Sequence, residues 1–142
     1  MSKCVINLVA IFLFLSQQAI ADQTGVNITP QNQKEQNLNF DLSIQDKGDY
    51  YQVEFETSKE GNLEKLAQID FVIYEGTKVL LNAPLEQHSR FPDKKNLSSE
   101  HLIFAKNFLK GAVLNLRTIN GTHEHDYMLR LATFPQQEPP AK

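Results

Sequence analysis

The chain has 142 residues, a formal net charge of −3 and a single cysteine, Cys4. A chain of this length supports one folded domain with one apolar core. Its acidic balance, without a cluster of Lys and Arg, excludes the usual electrostatic footprint of a nucleic-acid-binding protein. One cysteine cannot form an intramolecular disulfide, so burial of apolar side chains must provide the stability.

The first 21 residues have the pattern of a cleavable export signal. Lys3 supplies the positive charge, residues 5–15 are apolar apart from Asn7, and Ala19-Ile20-Ala21 places small side chains at the cleavage site. The apolar run is shorter than the roughly 20 residues of a membrane-spanning helix. We expect cleavage after Ala21 and a mature protein that is periplasmic or secreted and not held by a membrane. The absence of disulfides favours the bacterial periplasm.

The mature chain divides into three parts by composition. Residues 22–37 are polar and rich in Gln and Asn, which predicts a flexible leader. Residues 135–142 carry three prolines and predict a flexible tail. Residues 38–134 remain as the folded domain, and about 100 residues is the usual size of an immunoglobulin-like domain.

Within that domain the apolar side chains alternate with polar ones, as in half-buried strands. Turn residues follow at Gly48, Gly76 and Asn120-Gly121, where antiparallel hairpins are expected. The pattern predicts an all-β domain, a seven-strand antiparallel immunoglobulin-like β-sandwich, with a long crossing over 85–99. The predicted strands cover 38–45, 51–57, 69–73, 79–83, 101–105, 111–119 and 125–134. Residues 58–68 also have helix-like apolar spacing, so a short helical turn is the alternative there.

Five aromatic or arginine side chains are candidates for a partner-binding surface. Tyr and Arg are favoured in protein interfaces, and long loops on rigid domains often carry function. The alternative is that the aromatic residues cover the edges of the core. Unpaired sheet edges are a further candidate surface, because they can accept a foreign strand. The five candidates are Tyr50, Tyr51, Arg90, Phe91 and Tyr127.

The sequence offers one candidate metal site and no recognisable catalytic motif. His123 and His125 are two residues apart, share one face of a strand, and lie near Asp126 and Met128, which makes copper or zinc binding an alternative. No nucleophile motif, phosphate-binding loop or dinucleotide fingerprint occurs, and closely spaced carboxylates are typical of a solvated strand face. We therefore expect a non-enzymatic protein without a cofactor.

Several segments carry a resemblance to a known family. They are Gly48-Asp49-Tyr50-Tyr51, the strand over 69–74 with Glu75-Gly76, and the Asn120-Gly121 hairpin that leads to Phe134-Pro135. Together with the export signal, they resemble the small periplasmic curli-assembly chaperones. The resemblance implies an immunoglobulin-like fold and a role in restraining amyloid subunits. Enterobacterial members have a C-x-C motif at the strand that matches 69–74, and this chain lacks it, so no redox role is implied.

The leading hypothesis is a periplasmic binding or chaperone-like module. Its partner would be an exported, aggregation-prone subunit, held by sheet edges and charged faces. One alternative is a periplasmic enzyme inhibitor or immunity protein that acts through the 85–99 loop. The other is a copper- or zinc-binding protein that uses His123 and His125.

Overall fold

The computed structural model describes residues 25–85, 98–139 and 141. Arg90, Phe91 and the predicted signal peptide lie outside these residues. Among the described residues no helix has the length and apolar character needed to cross a bilayer. The elements are β1 (Val26–Ile28), β2 (Leu38–Asp46), β3 (Tyr50–Gly61), β4 (Leu66–Glu75), β5 (Lys78–Leu85), β6 (Ser98–Ala105), the 3-10 helix η1 (Lys106–Gly111), β7 (Ala112–Asn120), β8 (His123–Arg130), the 3-10 helix η2 (Leu131–Thr133) and β9 (Gln136–Gln137).

The strands form two sheets, which confirms the all-β class. One sheet has five strands in the order β1-β8-β7-β4-β5, and the other has four in the order β6-β3-β2-β9. Neighbouring strands are antiparallel except for β1 with β8 and β2 with β9, which are parallel. Gly48, Gly76 and Gly121 all have positive φ in the hairpin turns where the sequence predicts them.

One apolar core lies between the two sheets. On β2, Phe40 and Ile44 are buried while Asp41 is exposed, so the two-residue alternation points one face of the strand inward. The rings of Phe71 on β4 and Phe104 on β6 have centroids 5.4 Å apart and join the sheets directly. Each fully buried side chain of this size contributes about 1.5–3 kcal/mol, so the shared core stabilises the domain without disulfides.

All seven predicted segments contain strands, and the structure adds two short strands in the predicted leader and tail. In the leader, β1 pairs with β8 and Ile28 is only 1% exposed. The Gln33 side chain also donates hydrogen bonds of 3.2 and 2.8 Å to the carbonyls of Leu38 and Phe40. These contacts correct the expectation of a wholly flexible leader. The polar composition of residues 22–37 gave no sign of these contacts, because β1 buries only one apolar side chain, Ile28.

The tail and the segment after β3 also differ from expectation. β9 pairs with β2 through Gln136 and Gln137, so the start of the predicted tail is ordered by backbone pairing. Over 58–68, β3 continues to Gly61 and a turn with backbone hydrogen bonds of 3.2 and 3.1 Å replaces a helix. Leu63 is fully buried in that turn, which accounts for the helix-like apolar spacing.

Tyr51 and Tyr127 lie in the core, which corrects their assignment to a binding surface. Their exposed fractions are 7% and 6%. Tyr51 shares its face of β3 with Val53, and Tyr127 shares its face of β8 with Leu129, and both neighbours are fully buried. The strand phase decides their placement, and the amphipathic character of tyrosine allows it.

The short helix η1 is fixed at both ends. At its start, the Lys106 Nζ lies 2.7 Å from the Asp46 Oδ2 at the end of β2. At its end, a Cβ on Gly111 would overlap the carbonyl oxygen of Tyr74 on β4. Only glycine permits this close approach of the two backbones. The first contact ties η1 to the four-stranded sheet, and the second holds it against the five-stranded sheet.

The burial of Tyr127 gives a prediction for alkaline pH. Burial disfavours the phenolate and raises the pKa of Tyr127 above its ordinary value of 10.0. The unfolded chain then releases this proton at lower pH than the folded chain, so the free energy of unfolding should fall as the pH rises above about 10. When measured by urea unfolding, the free energy of unfolding should decline less between about pH 8 and about pH 11 in Tyr127→Phe than in the wild type. Equal declines would contradict this assignment.

The contact at Gly111 gives a second prediction. Gly111→Ala should lower the free energy of unfolding by about 1–3 kcal/mol, because the added methyl group forces the backbones of η1 and β4 apart. Asn107→Ala is the matched control, since Asn107 is exposed on the same short helix and should change stability by less than about 0.5 kcal/mol. Thermal and urea denaturation measure both. A Gly111→Ala variant as stable as the control would show that η1 is not held this way.

Candidate functional site

The candidate site is the unpaired edge of β5. β5 is the last strand of the five-stranded sheet, and in the described ranges its only strand partner is β4. The backbone N–H and C=O groups on its other side are therefore available to a further strand. An edge of this kind is the usual acceptor for strand addition.

Three consecutive apolar side chains are exposed on this edge strand. Val79, Leu80 and Leu81 have exposed fractions of 46%, 43% and 43%. Ile73 pairs with Leu81 and Tyr74 with Val79, so Leu80 lies opposite no residue of β4. This irregularity is a β-bulge, which bends an edge strand and re-aims its side chains. It interrupts the alternation and leaves the apolar run partly in solvent.

Pro84 identifies which backbone groups of β5 face outward. Pro84 lies opposite Asp70, and Asn82 lies opposite Val72, two residues away in the same phase of the ladder. Proline has no N–H and occurs in edge strands where that position faces solvent. In an antiparallel ladder every second residue has the same orientation. The N–H of Asn82 therefore points toward the unpaired edge.

A recess of about 440 Å³ adjoins Leu80 on the outer face of the sheet. Tyr74 from β4 and Phe108 from η1 form its apolar part, and Phe108 is 36% exposed. Lys110, Arg130 and Glu75 also line it, so its positive side chains outnumber its one carboxylate. The recess can accept an apolar side chain next to an acidic one, and the contacts at Gly111 and Lys106 hold Phe108 in place.

The ion pair at the start of η1 adds electrostatic support to this arrangement. Hydrogen bonding to Lys106 and to the Gly48 N–H lowers the pKa of Asp46, and hydrogen bonding to Asp46 raises the pKa of Lys106. Both groups are charged at neutral pH. The Lys106 Nζ also lies 5.8 Å from the centroid of the Tyr51 ring, a cation–π distance. Tyr51 thus contributes to the site indirectly, by supporting η1.

The opposite sheet presents an acidic outer surface. Asp41 on β2 pairs in register with Glu56 on β3, and Ser43 pairs with Glu54. The His101 Nε2 lies 2.7 Å from Glu54 Oε1. On β6, at the edge of this sheet, Ile103 is 70% exposed, with polar Gln52 opposite it. This edge has a single large exposed apolar side chain among its described side chains, so β5 is the stronger acceptor.

Of the remaining predicted binding residues, only Tyr50 is described and exposed. It is 40% exposed at the start of β3 and pairs with Ala105 of β6, on the sheet that does not contain β5. Arg90 and Phe91 lie outside the described residues. The predicted binding residues are therefore not brought together in the described part of the chain.

The histidine pair lies at the end of the β7–β8 hairpin. His123 and His125 are both exposed and occupy one face of β8, while Asp126 and Met128 occupy the other. Asp126 accepts a 2.9 Å hydrogen bond from the Arg117 Nε. In the described residues, no group of three or more His, Cys, Asp or Glu side chains converges on one point.

The sequence contains a signal for the β5 edge. Lys78-Val79-Leu80-Leu81 places three apolar residues in succession at the start of a strand, and Pro84 marks an edge position. The contribution of Phe108 has no such signal, because it depends on how η1 folds back onto β4. Comparison of this chain with family models, with curated proteins and with solved structures finds no match.

Proposed function

We propose that this protein is a non-enzymatic periplasmic module that captures extended segments of exported, aggregation-prone proteins at the β5 edge. Capture restrains polymerisation, because the backbone N–H and C=O groups that pair with β5 can no longer pair with another copy of the captured protein. The observation that carries the proposal is the run of exposed apolar side chains at Val79, Leu80 and Leu81 beside unpaired backbone groups.

Strand addition uses two kinds of contact, and β5 offers both. Backbone hydrogen bonds give affinity without a required sequence, and side-chain pockets give preference. The outward N–H of Asn82 belongs to the first kind, and the recess beside Leu80 belongs to the second. The preferred segment is extended, with an apolar side chain for the recess and a carboxylate for Lys110 or Arg130.

The length of the edge limits how tightly a segment is held. Lys78 at one end and Pro84 at the other are residues that natural proteins use to protect edge strands. The bulge at Leu80 shortens the regular part further. Binding to a short edge of this kind is reversible, as a module that releases its cargo requires.

Charge supports the role of a terminating partner. The chain carries a net charge of −3, and the outer surface of the four-stranded sheet holds Asp41, Glu54 and Glu56. A complex formed by segment capture at β5 therefore carries this acidic surface. Repulsion between such complexes opposes their stacking into a fibre.

The compartment and the fold complete the proposal. The signal-like first 21 residues direct the chain to the periplasm, where exported subunits are unfolded. We assign the two sheets to an immunoglobulin-like β-sandwich whose seven central strands are β2 to β8. The sequence resemblance to the curli-assembly chaperones is consistent with this role.

Fibre formation by an amyloidogenic exported subunit tests the proposal. Thioflavin fluorescence is followed with and without an equimolar amount of the mature protein. The wild type should lengthen the lag phase severalfold. Asn82→Pro should abolish the effect because it removes an outward donor, and Leu80→Lys should reduce it because it places a charge beside the recess.

Ile103→Lys is the matched control, since it makes the same change in chemistry on the edge strand of the other sheet. It should lengthen the lag phase as the wild type does. Circular dichroism and melting temperature confirm that each variant is folded. An unchanged lag phase with the wild type would refute the proposal, and full activity of folded Asn82→Pro would refute the β5 edge as its site.

A further inference from the structure

A second cavity, of about 390 Å³, lies on the outer face of the five-stranded sheet. Asn115 and Arg117 from β7 and Asp126 and Arg130 from β8 line it, together with Tyr74 from β4. These side chains extend from regular strands, so their spacing is fixed by the ladder. We call this cavity the arginine cleft.

Asn115 has an unsatisfied acceptor in the arginine cleft. Its Oδ1 is buried and has no hydrogen-bond partner among the described residues. Buried polar atoms are nearly always paired, so an exception in a cavity points to a missing partner. The missing partner must be a donor, an N–H or an O–H group.

The neighbouring side chains do not supply that donor. The Gln68 Nε2 donates to both carboxylate oxygens of Asp70, at 2.8 and 2.9 Å. Arg117 donates from Nε and Nη2 to Asp126, at 2.9 and 3.3 Å. The Gln68 and Arg117 side chains are thus engaged with carboxylates, and the Arg130 side chain makes no bond to the Asn115 Oδ1, so a donor from a bound molecule fits the position.

Arg130 provides the complementary feature. Its side chain is exposed and has no hydrogen bond or ion pair with any residue in the described ranges. Arg130 pairs in register with Val113, and Asn115 pairs with Met128, so Arg130 and Asn115 are diagonal neighbours on one face. Diagonal neighbours have Cβ atoms about 7 Å apart. A guanidinium at this position is suited to a carboxylate.

We propose that the arginine cleft binds a small α-amino acid. Its carboxylate pairs with Arg130, its ammonium group donates to the Asn115 Oδ1, and its side chain lies against Val113, Met128 and Tyr74. Because Arg130 and Asn115 are diagonal neighbours, one small molecule whose anion and donor are a few bonds apart, such as an α-amino acid, can contact both side chains. This inference does not rest on strand capture at β5, although Tyr74 and Arg130 line both the arginine cleft and the recess beside Leu80.

Three related molecules test the contact with Arg130 and the contact with the Asn115 Oδ1 one at a time. L-Leucine carries both groups, 4-methylpentanoate lacks the amino group, and 3-methylbutylamine lacks the carboxylate. Titration of the isotope-labelled mature protein is followed by amide chemical shifts. L-Leucine should shift the amides of β7 and β8 around Asn115 and Arg130, and each of the other two should bind at least tenfold more weakly.

Two variants test the residues, with a matched control. Arg130→Gln should weaken L-leucine binding at least tenfold, while Lys65→Gln, which removes one exposed charge elsewhere, should not change it. Asn115→Leu should abolish binding and raise the melting temperature of the free protein, because it removes a buried unpaired acceptor. Equal binding of the three molecules, or no binding of L-leucine, would overturn the proposal.

Discussion

Every open β-sheet leaves its two outermost strands with one unpaired side, and this constraint governs the described part of the molecule. β1 is short, and β9 holds only two residues. Among the described side chains of β6, Ile103 is the single large apolar one that is exposed, whereas β5 exposes Val79, Leu80 and Leu81 in succession. The apolar core stabilises both sheets but cannot cover this edge. The site therefore follows from where the sheet ends.

Much of the fold could be predicted from alternation and turn residues. Phe40 and Ile44 on β2 are inward as their spacing predicts, and the glycines of the three hairpins have the expected positive φ. The ordering of β1 could not be predicted, because it depends on pairing with the distant strand β8. The burial of Tyr127 could not be predicted either, because an amphipathic side chain is compatible with either face of a strand and the phase of β8 determines which face it occupies.

The candidate site was less accessible to sequence analysis than the fold. The apolar run at 79–81 is visible in the sequence, but its exposure depends on the bulge opposite Ile73 and Tyr74. The recess requires Gly111 to bring η1 against Tyr74, which is a contact between distant segments. The arginine cleft likewise depends on the register between β7 and β8. The local sequence pattern identifies the strands, whereas both sites depend on how distant strands pair with one another.

The central claim, that β5 accepts a partner strand, is tested most directly by amide hydrogen exchange of the mature protein with an aggregation-prone exported subunit. Pairing of a foreign strand with β5 buries the outward N–H of Asn82 and should slow its exchange at least tenfold, while the amide of Ile103 on β6 is unchanged. Unchanged exchange at Asn82, with protection appearing only on β6 or β3, would contradict the account.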